Sequence, residues 1–222
     1  MNQETTSAAA DKPLRKQQQR SVVTQHKLLD AAIEAFSENG FKGTSTRDSA
    51  ERAGVHHPLI TYHFKNKDQL WRAAADRVFS DFRRSLAASL EHHQNEDPKQ
   101  RMASMIRAYV YYAKSQPALH KVMVQEASYA SPRLDWLVET HLQPFFDATF
   151  TMLKELQALG IAVPGNPRLL FNMIRLSSGG LLALGQELNA SSGIDVNDDA
   201  TLDEIADMIV NVFLPGEMPQ TA

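Results

Sequence analysis

The sequence predicts an all-α chain in two parts, an N-terminal three-helix helix-turn-helix domain and a C-terminal helical bundle. Apolar residues recur at helical spacing through most of its length, while alternation of period two never persists and turn dipeptides are scarce. Asp97-Pro98, Ser131-Pro132 and Asn166-Pro167 punctuate the periodic stretches as helix starts. Gly54 separates two short segments, where a first helix must end and the chain must turn.

Composition narrows the class. With 222 residues and 43% hydrophobic content, the chain can bury one sizeable core plus a small satellite domain. Cysteine is absent, which removes disulfides and thiolate metal sites and fits a reducing cytoplasm. No apolar run is long enough to span a bilayer, and the first twenty residues lack the apolar core of a signal peptide. The net charge of −3 is unevenly spread. Met1–Leu70 holds ten Lys/Arg against eight Asp/Glu, the remainder thirteen against eighteen. A basic end on an acidic body suits one face drawn to phosphate and another that avoids it.

In chain order, residues 1–20 are polar, Ala/Gln/Ser-rich and aperiodic, which predicts a disordered tail. Its Lys12, Arg15, Lys16 and Arg20 leave two readings open, a solubilising tail or a basic arm lying along DNA. Residues 21–67 form the helix-turn-helix domain. Val22, Leu29, Ala32, Ile33 and Phe36 make the stripe of its first helix, capped at Gly40, with Phe64 and Phe41 buried beneath it. Ser45 caps the second helix with Asp48 as capping-box partner, and Ala50 is small where helices cross. Pro58 sits in the first turn of the third helix, which presents His57, Leu59, Thr61, Tyr62 and His63 outward. That surface has the size a DNA major groove accepts.

Residues 68–222 form the body. Asn66 caps a long helix through Trp71, Val78, Phe82 and Leu86, with Gln69 as capping partner. Later stripes follow Met102 to Ala113, Leu119 to Glu126, and Leu134 to Leu156 with a kink at Pro144. The helix after Asn166-Pro167 is apolar nearly all round, which predicts burial on more than one side; its Ser177-Ser178-Gly179-Gly180 run admits another backbone. Thr201 with Glu204 caps the last helix, whose stripe is Leu202, Ile205, Ala206, Ile209, Val212 and Phe213. Two apolar helices at the chain's end either build a four-helix homodimer contact or close the core of one subunit.

The pattern carried by Thr44, Ala50, Ala53, Gly54, Val55, Pro58, Tyr62, His63, Phe64, Lys65, Asn66, Lys67 and Leu70 resembles the tetracycline-repressor (TetR) family of bacterial regulators. The resemblance covers roughly Val22 to Trp71, and beyond it only the layout is similar. Ser49 stands where the family usually has Ile or Leu, predicting an underpacked inner face, and His56 replaces the usual Ser or Thr cap of the recognition helix. The resemblance implies a homodimer on a palindromic double-stranded operator, most often a repressor released by a small-molecule effector. It implies that Arg47 reaches a base edge, that Thr46, Tyr62, His63 and Lys67 hold phosphates, that His57 and Thr61 read bases, and that Pro58 and Leu59 touch a thymine methyl. A solvated Arg47 and a packing His63 are the plainer readings of those two residues.

In the body, Glu126, His141, Asn172 and Arg175 fall on or beside apolar stripes, where buried polar groups need partners. Together with Tyr109, Tyr112 and Trp136 they are the candidate effector contacts; a Glu126–Arg175 ion pair and a satisfied core His141 are the alternative. No cofactor or metal is expected. The chain has no Gly-rich phosphate loop, H-E-x-x-H or G-x-S-x-G, and His56-His57 and His92-His93 are adjacent rather than one turn apart. An enzyme is therefore excluded in favour of a regulator, the rival being a ligand-sequestering or partner-binding bundle without DNA binding.

Overall fold

The computed structural model describes residues 7–216, and of residues 7–18 the backbone alone. All regular structure among them is helical: α1 (Ser7–Gly43), α2 (Thr46–Ala53), α3 (Pro58–Phe64), α4 (Lys67–His92), α5 (Pro98–Ser115), α6 (Ala118–Ala127), α7 (Pro132–Leu137), α8 (Gln143–Ala158), α9 (Pro167–Arg175), α10 (Gly185–Ser192) and α11 (Asp199–Phe213). π-helical turns at Val138–Leu142 and Leu176–Gly180 precede α8 and follow α9. The chain divides into two compact units, Met1–Arg77 and Val78–Ala222. That division falls inside α4, ten residues beyond the expected start of the body at residue 68.

In the first unit, the tail expected to be disordered is helical from Ser7 onward. Alanine, glutamine, lysine and arginine are strong helix formers, so lacking an apolar stripe removes packing without removing helicity. Met1–Thr6 and the side chains of Lys12, Arg15 and Lys16 lie outside the described residues. The buried face of α1 is Leu28, Ala31, Ala32, Ala35 and Phe36, an i, i+3, i+4, i+7, i+8 stripe. Val22 is exposed, and Leu29 and Ile33 only half-buried, because three alanines carry the contact that larger residues were expected to make. The helix breaks at Gly40 (φ 68°, ψ 177°), and the buried Thr44 hydroxyl donates to Gly40 O and Ala35 O at 2.9 Å each. Phe41 lies between Phe36 and Trp71, with ring centroids 6.2 and 6.4 Å away.

In the second unit, α5 and α11 pack lengthwise, burying Met102, Ile106, Tyr109, Val110 and Ala113 against Leu202, Ala206, Ile209 and Phe213. Their solvent edge is a ladder. Arg107 pairs with Asp207, Tyr111 Oη donates to Asp203 (2.9 Å), and Lys114 Nζ reaches Asp199 (2.7 Å). Exposed pairs of this kind contribute little individually, but they use the three aspartates of the last helix. That helix is capped by Asp198, whose carboxylate accepts from the Thr201 amide at 2.9 Å, rather than by Thr201. Asp97, Ser131 and Asn166 cap α5, α7 and α9 with Pro following each, as the sequence predicts.

Pro144 occupies the first turn of α8, and the π-helical turn before it absorbs the kink that a missing N–H would impose. Glu126 is buried and pairs with Arg133, whose Nε lies 3.1 Å from its carboxylate, instead of the expected Arg175. Arg133 is seven residues away across the α6–α7 turn, where the chain's own reversal brings the charges together. The helix that reads as apolar all round buries one face only. Leu170, Phe171 and Ile174 are inside, while Leu169, Met173, Leu176 and Leu184 are exposed, as are Met208 and Val212 of α11.

Candidate functional site

The DNA-facing candidates are organised by the turn between α2 and α3. Ser45 Oγ accepts the Asp48 amide (3.0 Å), fixing the start of α2. At its end Gly54 is left-handed (φ 64°, ψ 34°), and two bonds close the turn: Gly54 N to Glu51 O and Val55 N to Ala50 O. This 5→2 and 6→1 pair is the Schellman arrangement, and its left-handed residue costs a side-chain-bearing amino acid about 1–2 kcal/mol. Ser49 is completely buried, and its hydroxyl donates back to Ser45 O at 3.2 Å. Arg52 ties α2 to α1 through Glu38 (2.8 Å) and uses Asp48 as a second partner (3.3 Å).

Pro58 opens α3, and Ile60 and Phe64 are its buried residues. The residue at the cap is His57 rather than His56, and its side chain caps nothing. Its Nε2 lies 3.0 Å from Thr46 Oγ1, so a base-reading candidate and a phosphate-holding candidate are joined across the turn. Tyr62 is 75% exposed, and its ring meets His63 edge-on at 4.9 Å. Arg47 is held by Glu51 at 3.1 Å with both side chains in solvent. Thr61 is exposed, Leu59 is half-buried, and Lys67 places its ammonium 4.5 Å from the centre of the Phe41 ring. Burial lowers the pKa of His63 from its ordinary value.

α3 ends in a second left-handed residue, Lys65 (φ 65°, ψ −52°), which is not glycine. The Asn66 amide reaches back to Phe64 O at 2.7 Å, making a γ-turn of the rarer, strained hand. Asn66 Oδ1 then accepts the Gln69 amide (2.8 Å) and starts α4.

In the second unit a small cavity opens among the helices. Its apolar wall is Phe79, Phe82, Leu119, Met123, Leu142, Phe145 and Phe146, and its polar lining is Arg83, Tyr109, His120, His141 and Arg175. Of the candidate effector contacts, Tyr109, His141 and Arg175 come together here. The others do not line it. Tyr112 packs on Phe82 (5.3 Å), Trp136 lies edge-on behind His141 (5.2 Å), Asn172 bonds Arg168 O, and Glu126 is taken by Arg133.

Arg83 and His120 escape sequence reasoning. Arg83 reads as one more cation on an exposed helix face, and His120 falls beside the Leu119, Val122, Met123 and Glu126 stripe rather than on it. Arg83 Nη1 donates to His141 Nδ1 (2.8 Å), which requires that nitrogen to be unprotonated, and Phe79 stacks on the same ring at 5.0 Å.

His120 is buried, with Nε2 2.8 Å from Tyr109 Oη and no hydrogen-bond partner at Nδ1. Burial first, and Arg175 second, push its pKa down to about 4; burial raises that of Tyr109. The ring rests on Gly179, where a Cβ would stand 1.9 Å from Nε2. The small Ser-Gly run therefore receives a side chain, not a backbone.

Both π-helical turns border this cavity, one supplying His141 and the other following Arg175 and holding Gly179. Among the described residues no three His, Asp or Glu side chains gather as a metal site, and no helix is long and apolar enough to cross a membrane.

A capped helix, a left-handed glycine turn and a short proline-started helix with an exposed polar face define a helix-turn-helix protein. Residues 28–74 match the family described as bacterial regulatory proteins, tetR family. RutR, an HTH-type transcriptional regulator of Escherichia coli K12, is 22% identical over 193 residues, 87% of this chain and 90% of its own. The solved structure of AibR with isovaleryl coenzyme A and operator DNA superposes with a TM-score of 0.68 at 16% identity, over 87% of this chain and 99% of that one. That of FadR from Bacillus subtilis with stearoyl-CoA gives 0.63 at 20%, over 83% and 97%. Residues 28–74 thus carry a domain of the tetR family, and most of the chain is similar to an HTH-type transcriptional regulator.

Two outcomes follow from the cavity. Gly179→Ala drives His120 from its place and lowers the thermal midpoint. In a His120→Ala background the same change is neutral or mildly stabilising, since alanine exceeds glycine in a helix by up to ~1 kcal/mol; equal losses in both backgrounds would refute the contact.

The second concerns pH. Above about 6.5 His120 is neutral folded or unfolded. Between there and about 4 only the unfolded chain takes up the proton, so stability falls as pH falls across that window. Denaturant midpoints from pH 7.5 to 4 should therefore decline less steeply in His120→Gln.

Proposed function

We propose that the chain is a ligand-responsive, sequence-specific DNA-binding regulator, a cytoplasmic homodimeric repressor that a small molecule releases from a palindromic operator. The observation that carries this is the α2–α3 pair: a turn closed by two backbone bonds holds a seven-residue helix whose Thr61 and Tyr62 stand in solvent. Arg47 pairs with guanine O6 and N7, exchanging Glu51 for a base edge. His57 and Thr61 read bases, with Thr46 fixing the His57 ring, and Pro58 and Leu59 meet a thymine methyl. Tyr62, His63 and Lys67 hold phosphates and set register.

A single small headpiece binds weakly, and the exposed stripe of Leu169, Met173, Leu176, Leu184, Met208 and Val212 supports a second copy as the partner that covers it. A dyad there sets two copies of α3 about one helical turn apart, roughly ten base pairs. The effector occupies the cavity lined by Tyr109, His141 and Arg175, and it works only through unequal affinity for two conformations of the body. AibR and FadR were solved with acyl-coenzyme A molecules, which supports a small-molecule effector here. Arg83 puts α4 on that cavity, and α4 begins within the first unit.

Gel retardation with fragments of the source genome tests the reading. The dimer is expected to retain one near-palindrome selectively, with affinity falling steeply with salt. Arg47→Ala should relax preference at one base pair, by ~1–3 kcal/mol of discrimination. A monomer, or retention indifferent to sequence, would refute the proposal.

A further inference from the structure

We propose that the effector is an organic anion, an apolar or aromatic body carrying a carboxylate that Arg83 and Arg175 hold. This rests on the reading of the chain as ligand-responsive and specifies the chemistry of its cavity. Two guanidiniums line one small, otherwise aromatic space, and both are always charged. Arg83 is bonded to His141 Nδ1 and to Ser80 Oγ at 3.2 Å, and Arg175 to Asn172 Oδ1 at 3.1 Å. All three partners are uncharged acceptors. Among the described residues neither guanidinium has a carboxylate within ion-pair distance, whereas Arg84, Arg107 and Arg133 of this unit do.

Charges facing an apolar cavity are stabilised by an opposite charge, and a guanidinium matches a carboxylate with two parallel hydrogen bonds. The wall dictates the remainder of the molecule. Phe79, Phe82, Phe145 and Phe146 offer ring faces and edges, and Met123 offers a soft, adaptable surface. The cavity as it stands has room for about one water, so a short acid that parts the aromatic wall fits better than a long chain. His120 adds one polar contact. Its buried Nδ1 has no partner within the protein, and a ligand hydrogen bond would satisfy it.

Isothermal titration of the full chain with octanoate and phenylacetate, each beside its amide, tests this directly. The acids are expected to bind at least about tenfold more tightly than octanamide and phenylacetamide, the range of a charged against a neutral hydrogen bond. Equal affinity for acid and amide overturns the proposal, as does failure of both acids to bind at about 1 mM. In Arg83→Gln and Arg175→Gln the acid should fall to the level of its amide while the amide's own affinity holds. Parallel weakening of both would mark a structural role instead, and the wild-type comparison stands even where a variant does not fold. Gel retardation on the same preparation separates the two levels. A chain that prefers octanoate but retains no DNA supports the anion site and refutes the regulator.

Discussion

A helix of seven residues has no stability of its own in water, because nucleation costs more than so few hydrogen bonds return. α3 exists only because the chain fixes its ends and its underside. Gly54 and the two bonds around it set the direction of entry, Pro58 presets the first φ, and the left-handed Lys65 forces the exit into α4. Ile60 and Phe64, both buried, anchor it from below. Every role assigned to Arg47, His57, Thr61 or Tyr62 depends on that constraint. Strain at Lys65 is tolerated because its neighbours over-determine it, which is the condition under which sparsely populated backbone persists at working sites.

The body follows a different economy. Several of its acidic residues are used between helices: Asp199, Asp203 and Asp207 against α5, Glu126 against Arg133. Two guanidiniums, Arg83 and Arg175, line the cavity with neutral partners instead. Both π-helical turns fall beside that cavity. Each inserts an extra residue into a helical turn, re-aiming the side chains that follow, and such turns often accompany ligand sites. Here they present the His141 ring to Arg83 and open the Gly179 backbone to His120.

The helix starts and the α2–α3 turn were legible because capping and left-handed glycine are local chemistry, written within four or five residues. Asp97, Ser131, Asn166, Ser45, Gly54 and Pro58 all do what their types dictate. What was not legible depended on tertiary context. The face of α1 was misjudged because alanine gives a weak hydrophobic signal yet packs closely, and the tail because helicity needs propensity and not amphipathicity. Glu126 was matched with the wrong arginine since sequence distance says nothing of which turn folds back. Three of the five polar residues of the cavity were foreseen, Tyr109, His141 and Arg175, since polar groups on apolar stripes announce burial. Arg83 and His120 were invisible: neither breaks a pattern, and their partners, His141 on a π-helical turn and Tyr109 on α5, reach them only in the fold.

The central claim is that a buried scaffold, more than the exposed residues themselves, makes this surface able to read DNA. Operator affinity of Ile60→Ala, measured beside wild type at one salt concentration, tests it most directly. Ile60 is 1% exposed and offers DNA nothing to touch. A loss of at least about tenfold is predicted, the equivalent of some 1.4 kcal/mol, from a cavity beneath α3. Unchanged affinity would show that α3 keeps its posture without this support, and would contradict the account.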